Sequence, residues 1–187
     1  MNLKFPFQLK FKYSALGQKA FLYDRDNNEV MFADKGIWRI REKITIYSDA
    51  KKTKKLYEVR ADRTFSPYFQ VTTPEGDFVG SIKRSGRITF KSYHQILDSQ
   101  NKVIYKINEI NFPNGLLNRP RYTVCKADAP SEEIASMDHG WSFGTTLFQI
   151  NGLSDIPEEN KPLILISFVI IAMMVRGLAG DKLPLPD

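Results

Sequence analysis

Apolar and polar residues alternate strictly at the start of the chain. Apolar side chains occupy every second position there: Leu3, Phe5, Phe7, Leu9, Phe11 and Tyr13. A period of two residues is typical of a strand with one buried face. The pattern therefore predicts a first strand over Leu3–Tyr13.

After this strand the chain repeats a unit made of an apolar strand, a short polar turn and a second apolar strand. The turns contain the residues that turns favour, and they begin at Asp24, Asp49, Pro74, Asp98 and Asp128. Their nearly constant spacing indicates an internal structural repeat. Five such hairpins supply about ten strands, and Leu3–Tyr13 and Ser142–Ile150 raise the number to about twelve.

A run of hairpins this long is expected to close on itself, because closure removes the unpaired strand edges. Side chains alone can fill a barrel of about eight strands, whereas about twelve strands leave a wider lumen. The predicted barrel therefore needs another element inside it.

The most apolar segment of the chain is suited to that place. Leu163–Val175 is apolar at every position except Ser167. A membrane span needs about 20 residues, and runs of about 10–14 are more often buried helices. Asn160 is a candidate N-cap, Pro162 fits a first turn, and Gly177 is a plausible stop. Since a helix that is apolar on all sides must be surrounded, we expect it to fill the barrel; a membrane anchor is the alternative.

The predicted fold is mainly β: a closed antiparallel barrel of about twelve strands around a central buried C-terminal α-helix. A single domain covers residues 1–187, with strands over about 3–150, the helix over about 161–176 and a short tail over 177–187. A chain of this length buries roughly 70% of its unfolded surface, so it needs no disulfide for stability.

The order of these elements resembles a known group of proteins. Two units, Phe21–Val30 and Ile96–Ile104, consist of a strand, an Asp-rich turn and an apolar strand. With the apolar helix that follows them, the chain resembles the tubby C-terminal-like superfamily, which includes the tubby domain, the phospholipid scramblases and the LURP-one-related proteins. It looks most similar to bacterial-type LURP-one-related members.

The resemblance implies a barrel around a central helix and no known catalytic centre. Tubby domains bind phosphoinositide headgroups through Lys and Arg on their outer surface, and scramblases are associated with membranes, calcium and lipid. The binding motifs of those proteins do not align with positions in this chain, so no functional residue is carried over.

The charge of the chain adds candidate residues. The net charge is +6, from 27 basic and 21 acidic residues, which is a mild bias towards anionic partners. Two basic runs lie at predicted turns, and clustered cations of this kind attract phosphate headgroups and anionic lipid. Two solvated turns would give the same pattern. The candidate anion-binding residues are Lys51, Lys52, Lys54, Lys55, Lys83, Arg84 and Arg87.

Catalytic and metal chemistry has few candidates. Cys125 is the only cysteine, which excludes an internal disulfide, and its place in a predicted strand indicates a buried inert thiol. His94 and His139 could serve as a base in a small hydrolase, but no activated nucleophile is evident beside them. Residues Asp138–Trp141 are predicted to form a turn, and no metal-ligand spacing is present.

Two further patterns have simpler explanations. Asp24, Asp26 and Asn28 begin like a calcium loop, but Glu29 and Lys35 stand where that loop needs Gly and Glu, so a hairpin turn is the better interpretation. The mixed cations and aromatics of residues 10–13 also occur in nucleic-acid binders, but an alternating strand explains them.

The sequence therefore predicts a non-enzymatic tubby-like barrel that binds anionic lipid headgroups or a membrane surface through basic hairpin turns. The alternative is a protein-interaction scaffold with no lipid role, for which Asn111–Leu117 offers apolar side chains. No cofactor, nucleic-acid partner or membrane-spanning segment is expected. The lone cysteine and the lack of an apolar N-terminal run predict a cytoplasmic protein, and the expected lipid binding would place it peripherally at the membrane.

Overall fold

The computed structural model describes residues 6–14, 17–36, 43–62, 68–85, 93–110, 121–140, 147–154 and 156–180. Within these ranges the chain forms twelve strands and one helix. Their bounds in chain order are β1 Phe7–Ser14, β2 Gly17–Tyr23, β3 Glu29–Gly36, β4 Lys43–Tyr47, β5 Lys55–Ala61, β6 Tyr68–Thr72, β7 Phe78–Ser85, β8 Tyr93–Leu97, β9 Val103–Ile110, β10 Arg121–Lys126, β11 Glu133–Gly140, β12 Leu147–Asn151 and α1 Lys161–Gly180.

The strands form a closed antiparallel barrel, as the sequence predicts. Each strand pairs with its neighbours in the chain, and β1 pairs with β12 to close the ring. In β1, Phe7, Leu9 and Phe11 are buried while Gln8 between them is exposed. The alternation that predicts the strand is therefore the alternation between the lumen and the outer surface.

The helix fills the lumen. From Leu163 to Met173 every side chain is buried, with at most 3% of its surface exposed. The one polar group in this run, the hydroxyl of Ser167, donates to the carbonyl of Leu163 at 2.7 Å. At Gly80 of β7 a Cβ atom would lie 2.9 Å from Cδ2 of Leu163, so the absence of a side chain at Gly80 leaves room for the helix. Because all faces of this helix segment are buried, the barrel wall surrounds it.

The start of α1 agrees with the prediction better than its end. Pro162 lies in the first turn, and the carbonyl of Asn160 accepts from the backbone N–H of Ile164 at 3.2 Å. The amide group of Asn160 donates to the hydroxyl of Tyr105 at 3.3 Å, so it joins the helix to β9. The prediction that Gly177 stops the helix is wrong, because α1 continues to Gly180. A glycine is tolerated inside a helix, although it weakens the helix relative to alanine.

The two ends of the barrel differ. The connections that follow β2, β4, β6, β8 and β10 are short turns, and the up-and-down order places all of them at one end, which we call the turn end. The chain leaves β12 at this end as well, so α1 enters the lumen there. At the opposite end, the loop end, β1, β3, β5, β7, β9 and β11 finish.

Four of the described turns share one backbone geometry. In each of them the fourth residue has a positive φ and donates its N–H to the carbonyl of the first residue at 3.0–3.1 Å. The pairs of first and fourth residues are Asp24 and Asn27, Asp49 and Lys52, Thr73 and Gly76, and Asp98 and Asn101. This is the turn expected for a hairpin whose loop ends in a left-handed residue. Four of the five predicted turns therefore repeat this geometry, and the turn that follows β10 does not.

The first of these turns answers the calcium-loop question. Oδ1 of Asp24 accepts from the backbone N–H groups of Asp26 and Asn28, at 2.9 and 2.8 Å. The carboxylate thus fixes its own turn, as Asp does in hairpins.

Candidate anionic-ligand surface

The outer face of the β4–β5 hairpin carries a dense group of charged side chains. Ile44 and Val59 are opposite each other and point into the lumen. The alternate positions therefore face outwards, where Lys43 pairs with Arg60 and Thr45 pairs with Glu58. The strand register thus brings two cations and a carboxylate together on the barrel surface.

Glu58 is the centre of this group. Its Oε2 lies 2.7 Å from Nζ of Lys43 and 2.7 Å from Nζ of Lys55, and its Oε1 accepts from Nε of Arg60. These side chains cover the carboxylate, so Glu58 is only 5% exposed. Burial raises the pKa of Glu58, but hydrogen bonds from the three cations outweigh burial and lower the pKa from 4.5 to about 2.

The group keeps an excess of positive charge. Three cations surround one carboxylate, so the net charge is 3 − 1 = +2. The side chain of Arg60 is 66% exposed and that of Lys55 is 35% exposed, so part of this charge is accessible from solvent. Because Glu58 holds the three cations in fixed positions, an incoming anion meets cations that are already ordered.

The predicted lysines of the β4–β5 turn fall into two kinds. Nζ of Lys52 lies 2.6 Å from Oδ2 of Asp34 and 5.4 Å from the ring centre of Tyr47, and the hydrogen bond to Asp34 raises the pKa of Lys52. Lys51 and Lys54 are exposed and form no ion pair with any residue that the structure describes. We define the β4–β5 basic face as Lys43, Lys51, Lys54, Lys55 and Arg60 around Glu58.

The second predicted cluster lies elsewhere. Lys83 and Arg84 are near the end of β7, at the loop end, whereas the β4–β5 turn belongs to the turn end. Lys83 is opposite Tyr68 and Gln95 on the outer face, while Arg84 is opposite His94. Arg87 lies outside the described residues. The two basic runs are therefore not brought together.

Beside the β4–β5 basic face, four aromatic rings form a strip on the outer surface of β2, β3 and β4. The ring centres of Phe21 and Phe32 are 5.0 Å apart, those of Phe32 and Tyr47 are 6.2 Å apart, and Tyr23 stacks on Phe21 at 6.4 Å. A cation lies over the ring at each end, because Nζ of Lys10 is 4.7 Å from the centre of Tyr23 and Lys52 contacts Tyr47. We call these four rings the aromatic strip.

The candidate bases both face the lumen. His94 is opposite the inward-facing Ile107 and is 4% exposed, and neither of its ring nitrogens has a hydrogen-bond partner among the residues that the structure describes. Burial and the nearby charge of Arg84 lower the pKa of His94 to about 4. His139 is opposite Phe148 and contacts that ring edge-on at 5.0 Å. That the protein is not an enzyme stays a prediction.

One local prediction around His139 is wrong. Asp138, His139 and Gly140 belong to strand β11 instead of forming a turn, because they pair in register with β12.

Cys125 is buried on the outer side of β10, with the Asn108 amide 3.8 Å from its Sγ. Burial raises the pKa of this thiol, which fits the predicted inert cysteine. The part of the chain that the structure describes contains no cluster of His, Cys, Asp and Glu able to hold a metal ion.

Sequence reasoning missed Glu58, Lys43 and Arg60. None of them belongs to a run of basic residues, and Lys43 reaches Glu58 and Arg60 only through the pairing of β4 with β5. The alternation of Ile44, Ile46 and Val59 could have shown that these charges share the outer face. The loop Asn111–Leu117, which the scaffold hypothesis uses, lies outside the described residues.

Comparison of the chain with models of known protein families and with curated proteins finds no match. Among the described residues there is no helix that is both long and apolar enough to cross a membrane.

Proposed function

We propose that this protein binds anionic lipid headgroups at a membrane surface through the β4–β5 basic face. The observation that carries the proposal is the arrangement of Lys43, Lys55 and Arg60 around the buried carboxylate of Glu58. A single carboxylate cannot neutralise three cations, so a positive charge persists in a fixed position. This proposal agrees with the function that the resemblance to tubby-like proteins implies.

Lys51 and Lys54 strengthen the attraction of this face for anionic lipid. They are exposed at the tip of the hairpin, next to the ordered cations. A basic residue near an anionic leaflet contributes about 1 kcal/mol of binding free energy, and the attraction falls off within a Debye length. The contribution of each lysine is therefore largest at low ionic strength.

Flotation with phosphatidylcholine vesicles that contain phosphatidylserine or a phosphoinositide tests the proposal across a salt series. We expect wild-type protein to float with the anionic vesicles at low salt and to be released as salt increases. The double variant Lys51→Ala/Lys54→Ala should bind roughly 10- to 30-fold more weakly, because two contributions of about 1 kcal/mol are removed.

A matched control separates a binding face from overall charge. Lys83→Ala/Lys102→Ala removes the same charge from two exposed positions outside the β4–β5 basic face. This control should bind almost as well as wild type. Absence of wild-type binding at low salt, or equal losses in both double variants, would disprove binding through this face.

A further inference from the structure

The aromatic strip lies on the outer surface of the barrel and not in the core. In a barrel that is filled from within, outward positions are expected to be polar. Most of the outer positions of β12 and β1 follow this expectation, with Gln8, Gln149 and Asn151, although Leu147 also faces outwards. On β2, β3 and β4 the outward positions include Phe21, Tyr23, Phe32 and Tyr47 instead.

The strip is only partly covered by its own members. Phe32, in the middle, is 2% exposed because its neighbours lie over it. Phe21, Tyr23 and Tyr47 are half-buried and keep part of their rings on the surface. Half-exposed tyrosines have an apolar body and a polar tip, a combination that is favoured at membrane–water interfaces.

The strip is continuous with the β4–β5 basic face. Tyr47 is the last residue of β4, and Lys52, whose Nζ lies over its ring, belongs to the turn that carries Lys51 and Lys54. At the other end of the strip, Lys10 of β1 lies over Tyr23. Long lysine side chains can rest on apolar surface while their charged groups reach the headgroups.

We propose that the aromatic strip is the second part of the membrane contact, so that the barrel lies on its side with β1–β5 against an anionic bilayer. The inference rests on the proposed function, because the β4–β5 basic face supplies the electrostatic attraction. The rings then lie at the level of the headgroups, between Lys10 on one side and Lys52 on the other.

The charges at the turn end argue against the other simple orientation, in which the barrel stands upright on its turns. Asp26, Glu75, Asp77 and Glu132 are exposed in the turns at that end. An upright barrel would bring these carboxylates against anionic lipid, which is unfavourable. A barrel lying on β1–β5 presents the basic hairpin and leaves most of these carboxylates in solvent.

Environment-sensitive fluorophores on single cysteines test the orientation in the presence of vesicles containing phosphatidylserine. Lys19→Cys places the probe on the outer face of β2 beside the strip, and Lys83→Cys places a matched probe on β7, nearly opposite in the ring. Both variants carry Cys125→Ser, so that each has one thiol. We expect the probe at residue 19 to brighten and shift to shorter wavelength, and the probe at residue 83 to remain unchanged.

Truncation of a ring tests the strip itself. Tyr23→Ala should weaken vesicle binding about three- to tenfold, since a half-exposed ring buries on the order of 50 Å² more apolar surface on docking. Tyr68→Ala, which removes a half-buried outward tyrosine from β6, should leave vesicle binding unchanged. Thermal unfolding of both variants checks that each is folded under the conditions of the assay.

The outcomes separate the two proposals. Vesicle binding with a response at residue 19 alone supports the side-on orientation. Vesicle binding with no response at residue 19, or with equal responses at residues 19 and 83, overturns the orientation and leaves the proposed function intact. Equal losses in Tyr23→Ala and Tyr68→Ala also overturn it. If wild-type protein does not bind anionic vesicles, the proposed function fails and the orientation fails with it.

Discussion

Glu58 and His94 are both titratable residues buried in the barrel wall, but their surroundings are opposite. Glu58 faces outwards and is paired with three cations, whereas His94 faces the lumen and has no hydrogen-bond partner within the described part of the chain. The pKa of each is lowered, to about 2 for Glu58 and to about 4 for His94. A lowered pKa keeps the carboxylate charged and the imidazole neutral. The difference shows that partners, and not burial alone, decide which form a buried group takes.

The two groups also affect stability in different pH ranges. The unfolded chain protonates His94 near pH 6.5, while the folded chain resists until about pH 4. The contribution of His94 is therefore present above pH 6.5 and is lost as the pH falls towards 4. The contribution of Glu58 is present above pH 4.5 and is lost as the pH falls through about 2. Acid destabilisation is thus expected to begin with the histidine.

A carboxylate introduced into the apolar lumen, with no cation beside it, should destabilise the fold more than any other change. Ile170 is fully buried in the middle of α1, among apolar side chains that fill the lumen. Ile170→Asp should prevent folding to a soluble barrel, because a buried carboxylate without a partner costs several kcal/mol. Soluble yield and near-ultraviolet circular dichroism measure the result. Ile170→Val is the control and should cost only about 1 kcal/mol; a stably folded Asp variant would show that the lumen admits water or a counter-charge.

Replacement of the buried imidazole of His94 should remove a pH dependence of stability. Wild-type protein should lose on the order of 3 kcal/mol of unfolding free energy between pH 7 and pH 4, because folding lowers the pKa of His94 from 6.5 to about 4. His94→Leu should remove most of that loss. Urea denaturation at both pH values measures it. The idea is wrong if the variant shows the same acid loss as wild type.

Loss of the paired carboxylate should have a smaller effect at neutral pH. Glu58→Gln leaves three cations close together without their counter-charge, and we expect it to lower the unfolding free energy by about 1–2 kcal/mol. The estimate lies below that for a fully buried pair because Arg60 is 66% exposed. Glu75→Gln, at an exposed turn position, is the control and should change stability by less than about 0.5 kcal/mol. Equal changes in unfolding free energy in the two variants would show that the pairing of Glu58 with the three cations does not stabilise the fold.

Loss of the partly exposed ion pair between Lys52 and Asp34 should change the unfolding free energy least. The side chain of Lys52 is 46% exposed and that of Asp34 is 22% exposed. Lys52→Asn removes the pair but places a better left-handed residue at a φ of 61°, so the unfolding free energy should change by at most about 0.5 kcal/mol. Thermal unfolding at low and high salt measures it. A loss of several kcal/mol would mean that partial exposure does not weaken this pair.

The fold follows from the sequence because its signals are local. A period of two residues, five polar turns and one apolar helix are enough to predict a closed barrel with a filled lumen. Strand direction alone could also have placed Lys51–Lys55 and Lys83–Arg87 at opposite ends, because successive hairpin turns of an up-and-down barrel alternate between its ends.

The candidate surface is harder to predict because it depends on register. Glu58 meets Lys43 only through the pairing of β4 with β5, and a shift by one residue would move each side chain to the other face. His94 reads as a candidate base in the sequence, but its pairing opposite Ile107 directs it into the core. The end of α1 was missed because a glycine weakens a helix without necessarily ending it, and α1 continues through Gly177.

The position of α1 after β12 has a consequence for synthesis of the protein. A ribosome makes all twelve strands before it makes the side chains that fill the lumen. Until then the inward faces of the strands have nothing to pack against, and early hairpins expose apolar surface and unpaired edges. We therefore expect the barrel to close only after the helix has been made. We expect nascent chains that end before Lys161 to bind chaperones or aggregate, and ring closure to be a late step of folding.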